Sequence, residues 1–215
     1  NEISFSRVCV TSGASAALAA ILSRFTDPGY TRNIWMVEPT YFLACPIFQD
    51  AGFTGRMRGV PEDNEGIDLE FLRSGLEYAE SADWERTAVK CPDTGYPKLY
   101  KHIIYCVPTF SNPSGKTMSQ SRRGGLVKLA REFDALVVSD DVYDFLRWPA
   151  DQMKPLDTDL GSLPPRLVDI DKSLEGGTKY GNTVSNGSFS KIVAPGTRVG
   201  WLEAAETFIS AMAKV

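Results

Sequence analysis

Histidine is almost missing from this sequence. His102 is the only one, and the four cysteines, Cys9, Cys45, Cys91 and Cys106, are widely spaced with no C-x-x-C pair. That scarcity argues against a zinc site and against a disulfide framework, and separated thiols suit a reducing, cytoplasmic type of compartment. Positive charge is not in excess either. Lysine plus arginine number 23 against 27 acidic residues, a net charge of −4, and the basic residues are scattered in short pairs such as Arg122 and Arg123. A nucleic-acid surface is therefore disfavoured. The longest apolar runs, such as residues 103–108 (IIYCVP), are far too short to span a bilayer, so no transmembrane helix is predicted. The chain begins with Asn1 rather than Met. The natural start, with any mitochondrial or other targeting peptide, is expected to lie outside it.

What is present is the composition of a soluble globular domain: 43% apolar and 23% charged over 215 residues, enough for one sizeable core. Short β-rich runs alternate with helical periodicity and no internal repeat is visible. The patterns predict strands at 7–11 (RVCVT), 34–38 (IWMVE), 55–60, 103–107 (IIYCV), 135–139 (ALVVS), 167–170, 183–189 and 199–203. Helices are predicted over 14–25, 41–51, 68–84 and 119–133, and from 204 onward. Strands alternating with helices predict an α/β layer fold with a mostly parallel sheet. Three long segments, 86–102, 148–166 and 171–182, are rich in Pro, Gly and charge and read as surface excursions rather than lids.

In open α/β sheets, ligands bind beyond the carboxyl ends of the strands. After RVCVT comes Ser12-Gly13-Ala14-Ser15, a small-residue turn that opens a helix; its backbone N–H groups make a phosphate seat, although Ser and Gly cap helices everywhere. After IWMVE comes Pro39-Thr40-Tyr41, with an aromatic ring that core packing would explain equally well. After IIYCV comes a segment containing Asn112-Pro113-Ser114-Gly115, which a turn explains by itself. ALVVS is followed by Asp140-Asp141-Val142-Tyr143, where paired carboxylates suit a solvated cap or a cation; without a nearby histidine a metal ranks low. Last, the stretch NGSFSKIVAPGTRVGW carries Ser188, Ser190, Lys191 and Arg198. Its apolar, glycine-punctuated character predicts a buried or half-buried lysine, a costly placement unless the ammonium has a task.

Taken together, these residues describe one ligand. It has a phosphate for the helix start, the serines and Arg198, a flat ring for Tyr41, and a basic ring nitrogen for Asp140. It also has an oxyanion for Asn112 and Tyr143, and an aldehyde for a lysine amine. Pyridoxal 5′-phosphate fits that description. The ordered series TSGASAAL, EPTY, SNPSG, DDVY and SFSK with its arginine resembles the fold-type I aminotransferases of class I/II over nearly the whole chain. The seven-residue gap from Lys191 to Arg198 resembles the 2-aminoadipate and aromatic aminotransferase branch.

The resemblance implies a three-layer α/β/α large domain. Gly13, Ala14 and Ser15 would hold the phosphate with Ser188, Ser190 and Arg198. Tyr41 would stack on the ring, and Asn112 and Tyr143 would bond the phenolic oxygen. The Asp-x-x-Tyr spacing selects Asp140 over Asp141 for the ring nitrogen, and Lys191 would be the Schiff-base lysine. It also implies amino acid and 2-oxo acid substrates, a homodimer, and a longer chain in which an N-terminal segment and a smaller C-terminal domain complete the site. Residues 1–215 would then be an incomplete cofactor-binding domain. A non-catalytic sensor domain of a MocR-type regulator, or a lyase or decarboxylase using the same cofactor, are the alternatives.

Overall fold

Eight strands form one sheet in the computed structural model, which describes residues 4–83, 90, 98–147 and 164–213. In chain order they are β1 (Val8–Thr11), β2 (Asn33–Glu38), β3 (Met57–Asp63), β4 (Gly66–Ile67), β5 (His102–Cys106), β6 (Ala135–Asp140), β7 (Thr183–Ser188) and β8 (Gly200–Glu203). Their spatial order is β1-β8-β7-β6-β5-β2-β3-β4. From β3 through β2, β5 and β6 to β7 every pairing is parallel. β8 runs antiparallel between β7 and β1, and β4 is antiparallel to β3. β1 and β7 therefore point the same way, and the carboxyl ends of β1, β2, β5, β6 and β7 share one edge.

Helices cover both faces of the sheet. Because side chains alternate along a strand, Ile34, Met36, Ile103, Tyr105, Leu136 and Val138 face one core. That core is closed by α1 (Ala14–Phe25), α2 (Ala44–Phe48) and α6 (Glu206–Met212), with Phe25 and Phe208 stacked at 4.0 Å between ring centroids. Trp35, Val37, Ile104, Cys106, Ala135 and Val137 face the other, under α3 (Leu69–Ser81), α4 (Gln120–Glu132) and α5 (Leu167–Ser173). Each fully buried aliphatic side chain contributes about 1.5–3 kcal/mol of transfer free energy, so the alternation itself drives the layering. Local signals set the helix starts: Asp68 accepts from the backbone N–H groups of Glu70 and Phe71, and Ser119 caps Arg122.

The structure corrects one predicted element. Residues 167–170 form the first turn of α5, not a strand. β7 already has β6 and β8 on its two sides, so no ladder is open there. Arg166 and Asp169 close the helix start instead: the backbone N–H of Arg166 donates to Asp169 Oδ2 at 3.0 Å. The helix predicted over 41–51 is shorter, Ala44–Phe48, and continues as a wider turn, Gln49–Phe53, that kinks at Gly52 with φ 90°. Trp84 and most of the segments 86–102 and 148–166 lie outside the described residues.

The single histidine is structural. His102 is fully buried at the start of β5, accepts from Trp35 Nε1 at 3.3 Å through Nδ1, and faces Glu80 Oε1 at 3.2 Å through Nε2. Burial pushes its pKa down to about 4, against the opposing pull of Glu80. A histidine depressed in the folded state stabilises the fold above its unfolded value near 6.5, and that contribution is lost as pH falls toward 4. Full size is roughly 3 kcal/mol. In denaturant melts between pH 7 and 4, His102→Gln should therefore flatten the acid loss relative to wild type; parallel curves would contradict a buried neutral imidazole.

Candidate active site

The shared edge of the sheet carries a pocket of about 200 Å³. It is lined by Ala14 and Ser15 after β1, Tyr41 after β2, Asn112 after β5, Asp140 and Tyr143 from β6 and its following turn, and Ser188, Ser190, Lys191 and Arg198 from β7 onward. The parallel order gathers residues that lie up to 184 positions apart, from Ala14 to Arg198. Gly13 stands behind this lining. It is the N-cap of α1 at φ 103°, and a Cβ there would sit 2.5 Å from Arg198 Nη2. Glycine at this position permits both the backbone conformation and the close approach of the guanidinium.

An anion seat is built around α1. Its N-cap, Gly13, has no side chain to offer the first turn, so the leading N–H groups and the positive end of the helix dipole are available on the side where Ala14 and Ser15 line the pocket. Asn186 of β7 donates through Nδ2 to the carbonyl of Ala14 at 2.9 Å and fixes the helix start to the sheet. Arg198 donates to the Ser12 carbonyl at 3.0 Å and reaches Ser190 Oγ at 3.4 Å. Its backbone is left-handed, φ 49°, an outlier for an arginine of the kind that collects at functional sites. Ser188 Oγ accepts from the Ser190 amide at 3.2 Å, which turns the chain sharply beyond β7.

Lys191 reaches the pocket from that turn, but its neighbourhood is not buried. Residues 191–199 are exposed, against the sequence expectation. Two short 3-10 turns, Phe189–Lys191 and Pro195–Thr197, carry the segment out past the sheet edge, where its apolar residues have no described layer above them.

The two aspartates part company. Asp140 ends β6 facing the pocket: Oδ2 accepts from Tyr105 at 2.7 Å, while Oδ1 is buried with no hydrogen-bond partner among the described residues. Burial pushes its pKa up to about 6; Tyr105 and Lys191 pull it down, and Asp144 pushes it up. Asp141 turns away from the pocket, accepts from the hydroxyls of Ser139 and Ser185, and is raised well above the usual carboxylate range, chiefly by burial. The loop bearing Asn112 is held from behind by Arg123 of α4, a fully buried arginine. It donates to the carbonyls of Met118 and Pro108 at 3.1 Å and to Thr109 Oγ1 at 2.9 Å.

Tyr105 and Asn186 escaped the sequence reading. Both lie inside strands, whereas the predicted site residues sit at or just past strand ends. The signal available was a polar group at alternate positions of an otherwise apolar strand.

The sequence model of the family described as "Aminotransferase class I and II" matches residues 2–215. The chain is 43% identical over 201 residues to an uncharacterised protein of Saccharomyces cerevisiae, covering 90% of this chain and 44% of that protein. It is 32% identical to aromatic-amino-acid aminotransferase 1 of Thermococcus litoralis, over 94% of this chain and 40% of the relative. Among solved structures it is similar to Pyrococcus horikoshii kynurenine aminotransferase, crystallised with PMP: the TM-score is 0.69 at 30% identity, over 95% of this chain and 42% of that one. The chain thus spans about two fifths of the length of these relatives.

Proposed function

Because the chain belongs to the class I and II aminotransferase family, we propose that it forms much of the cofactor-binding domain of a pyridoxal 5′-phosphate-dependent aminotransferase, which moves an amino group between an amino acid and a 2-oxo acid. The aromatic and kynurenine aminotransferases among its relatives favour an aromatic or 2-aminoadipate-type donor. The rest of the site is proposed to lie in chain beyond these residues, where an arginine would take the substrate carboxylate.

One observation carries the reading: Asp140 Oδ1 is a buried acceptor without a partner among the described residues, in a pocket that also holds a lysine and a helix start whose N-cap glycine has no side chain to offer. Such an acceptor calls for a buried donor, and a protonated ring nitrogen is one. The residues present therefore fit the cofactor. The first-turn N–H groups of α1 from Ala14 and Ser15, with Ser188, Ser190 and Arg198, would hold its phosphate, and Gly13 gives Arg198 room. Tyr41 would cover the ring, and Asn112 and Tyr143 would donate to its phenolic oxygen. When bound, the cofactor supplies a pyridinium electron sink that acidifies the substrate Cα–H. Asp140 would hold the proton at the ring nitrogen. Lys191 Nζ would be the amine that links the cofactor aldehyde and, once displaced by the substrate amine, the general base and acid that moves the Cα proton.

The proposed partner is a second copy of the chain. Phe42, Leu43, Ile192, Val193 and Val199 are exposed next to pocket residues in the chain, and an apolar surface at a site mouth suits burial in a dimer. Cys9, Cys45 and Cys106 are free, which fits a reducing compartment such as the cytoplasm; no described helix is long and apolar enough to cross a membrane.

The test is chemical mapping. Full-length protein incubated with pyridoxal 5′-phosphate and then borohydride should carry the cofactor's added mass on the peptide containing Lys191. An adduct on Lys179, or on no defined lysine, would contradict the assignment.

A further inference from the structure

We propose that Tyr105 is a positioning residue for this reaction: its hydroxyl donates to Asp140 Oδ2, aims Oδ1 at the ring nitrogen of the bound cofactor, and keeps the shared proton on that nitrogen. The inference rests on the proposed binding of pyridoxal 5′-phosphate in this pocket and goes beyond it, since nothing in the reading above assigns Tyr105 a task.

The sheet register dictates the contact. Tyr105 pairs with Val138 across the parallel β5–β6 ladder. Asp140 lies two residues further along β6, on the same face as Val138, so it is the diagonal neighbour of Tyr105, within reach of a long aromatic side chain. The tyrosine ring cannot swing away. It is 2% exposed and packed edge-on against Phe48 of α2, with centroids 5.8 Å apart and an interplanar angle of 73°. The hydroxyl therefore meets Asp140 Oδ2 at 2.7 Å as a fixed donor. With one oxygen occupied, only Oδ1 is left to face a ligand.

The chemistry at stake is where one proton sits. A buried carboxylate opposite a pyridine nitrogen can surrender its charge by taking the proton itself, and an unprotonated ring is a weak electron sink. Burial acts in that direction on Asp140, and so does the nearby Asp144. Lys191, from the turn after β7, and Tyr105, from β5, act against it. Tyr143 after β6 and Tyr41 after β2 share the pocket, and Cys106 and Asp141 lie behind it. Burial holds both Tyr105 and Cys106 far above their usual ranges, so Tyr105 remains a neutral donor and Cys106 a thiol. Among these groups Tyr105 is the one with a direct hydrogen bond to the Asp140 carboxylate.

The experiment uses full-length protein loaded with cofactor labelled with ¹⁵N in the ring. At neutral pH the wild-type ring nitrogen should resonate at the pyridinium position, and Tyr105→Phe should move it toward the neutral pyridine position. A second readout needs no cofactor. The infrared band of the Asp140 carboxyl, identified by its loss in Asp140→Asn, should titrate near 6 in wild type. In Tyr105→Phe it should titrate roughly one pH unit higher. Site-specific 3-fluorotyrosine at position 105 is a stronger donor in nearly the same volume. It should lower that midpoint, and it keeps the test available if the phenylalanine variant does not fold. An unmoved ring-nitrogen signal together with an unmoved Asp140 titration overturns the inference and leaves the proposed function standing. A labelled cofactor that never attaches at Lys191 in wild type overturns the proposed function instead, while the cofactor-free titration still reports on the Tyr105–Asp140 link.

Discussion

Lys191→Met in the full-length protein is expected to abolish amino-group transfer, with turnover falling by about 10⁴-fold or more. A single acid–base group is commonly worth about 10²–10⁴, and this amine is assigned a second task as the nucleophile. The loss should be chemical, not structural. Lys191 is exposed on a short turn beyond β7, so methionine opens no cavity and breaks no hydrogen bond to Asp140, although it removes a nearby positive charge that helps hold the Asp140 carboxyl down. The anion seat at α1 and Arg198 does not involve it, so the variant should still bind pyridoxal 5′-phosphate, weakly and without the borohydride-fixed adduct. Lys179, exposed on the segment before β7, supplies the control: Lys179→Met should match wild type. Turnover within tenfold of wild type in Lys191→Met would sink the assignment.

The second large effect separates Asp140 from Asp141. Asp140→Asn should cost roughly 10²–10⁴-fold in turnover, because breaking a buried charge pair costs about 3–5 kcal/mol. Its stability should move the other way. The folded carboxyl titrates near 6 against 3.8 for the free group, mainly through burial. Stability from the neutral form is full below 3.8 and is lost as pH rises through 6. At pH 8 the ionised carboxylate should therefore cost the cofactor-free protein roughly 3 kcal/mol. Asparagine removes that cost, so cofactor-free Asp140→Asn should melt higher than wild type at pH 8 and no higher at pH 4. Asp141→Asn should spare turnover. Its carboxyl accepts from Ser139 and Ser185 and does not line the pocket, so turnover per folded molecule should stay within about tenfold even where a lost hydrogen bond weakens folding. Equal and severe losses of turnover in both variants would mean that the Asp-x-x-Tyr spacing chose the wrong carboxylate.

Much of this molecule is written locally. A helix such as α1 declares itself over residues 14–25 because twelve consecutive Ala- and Leu-rich positions carry its propensity and its apolar stripe. The strands β2, β5 and β6 are short apolar runs bounded by turn chemistry. Residues that follow such runs could be listed as a candidate site without knowing the strand order, since ligands meet parallel sheets at their carboxyl ends. The tertiary structure decided what depends on neighbours in space. The run 167–170 reads as a strand in sequence, yet it forms the first turn of α5, where Arg166 and Asp169 close the helix start and Leu167 joins the core on that face of the sheet. Lys191 proved exposed because burial depends on what lies above a turn, not on the turn's own composition. Asp140 and Asp141 are adjacent in sequence, yet the strand pleat sends one into the pocket and the other into a serine pair. Tyr105 meets Asp140 only through the β5–β6 register. Sequence by itself carries propensity, periodicity and the order of chemical groups, which act over a few residues. Partnership, burial and the direction of a side chain come from long-range pairing, and those were decided only when the sheet closed.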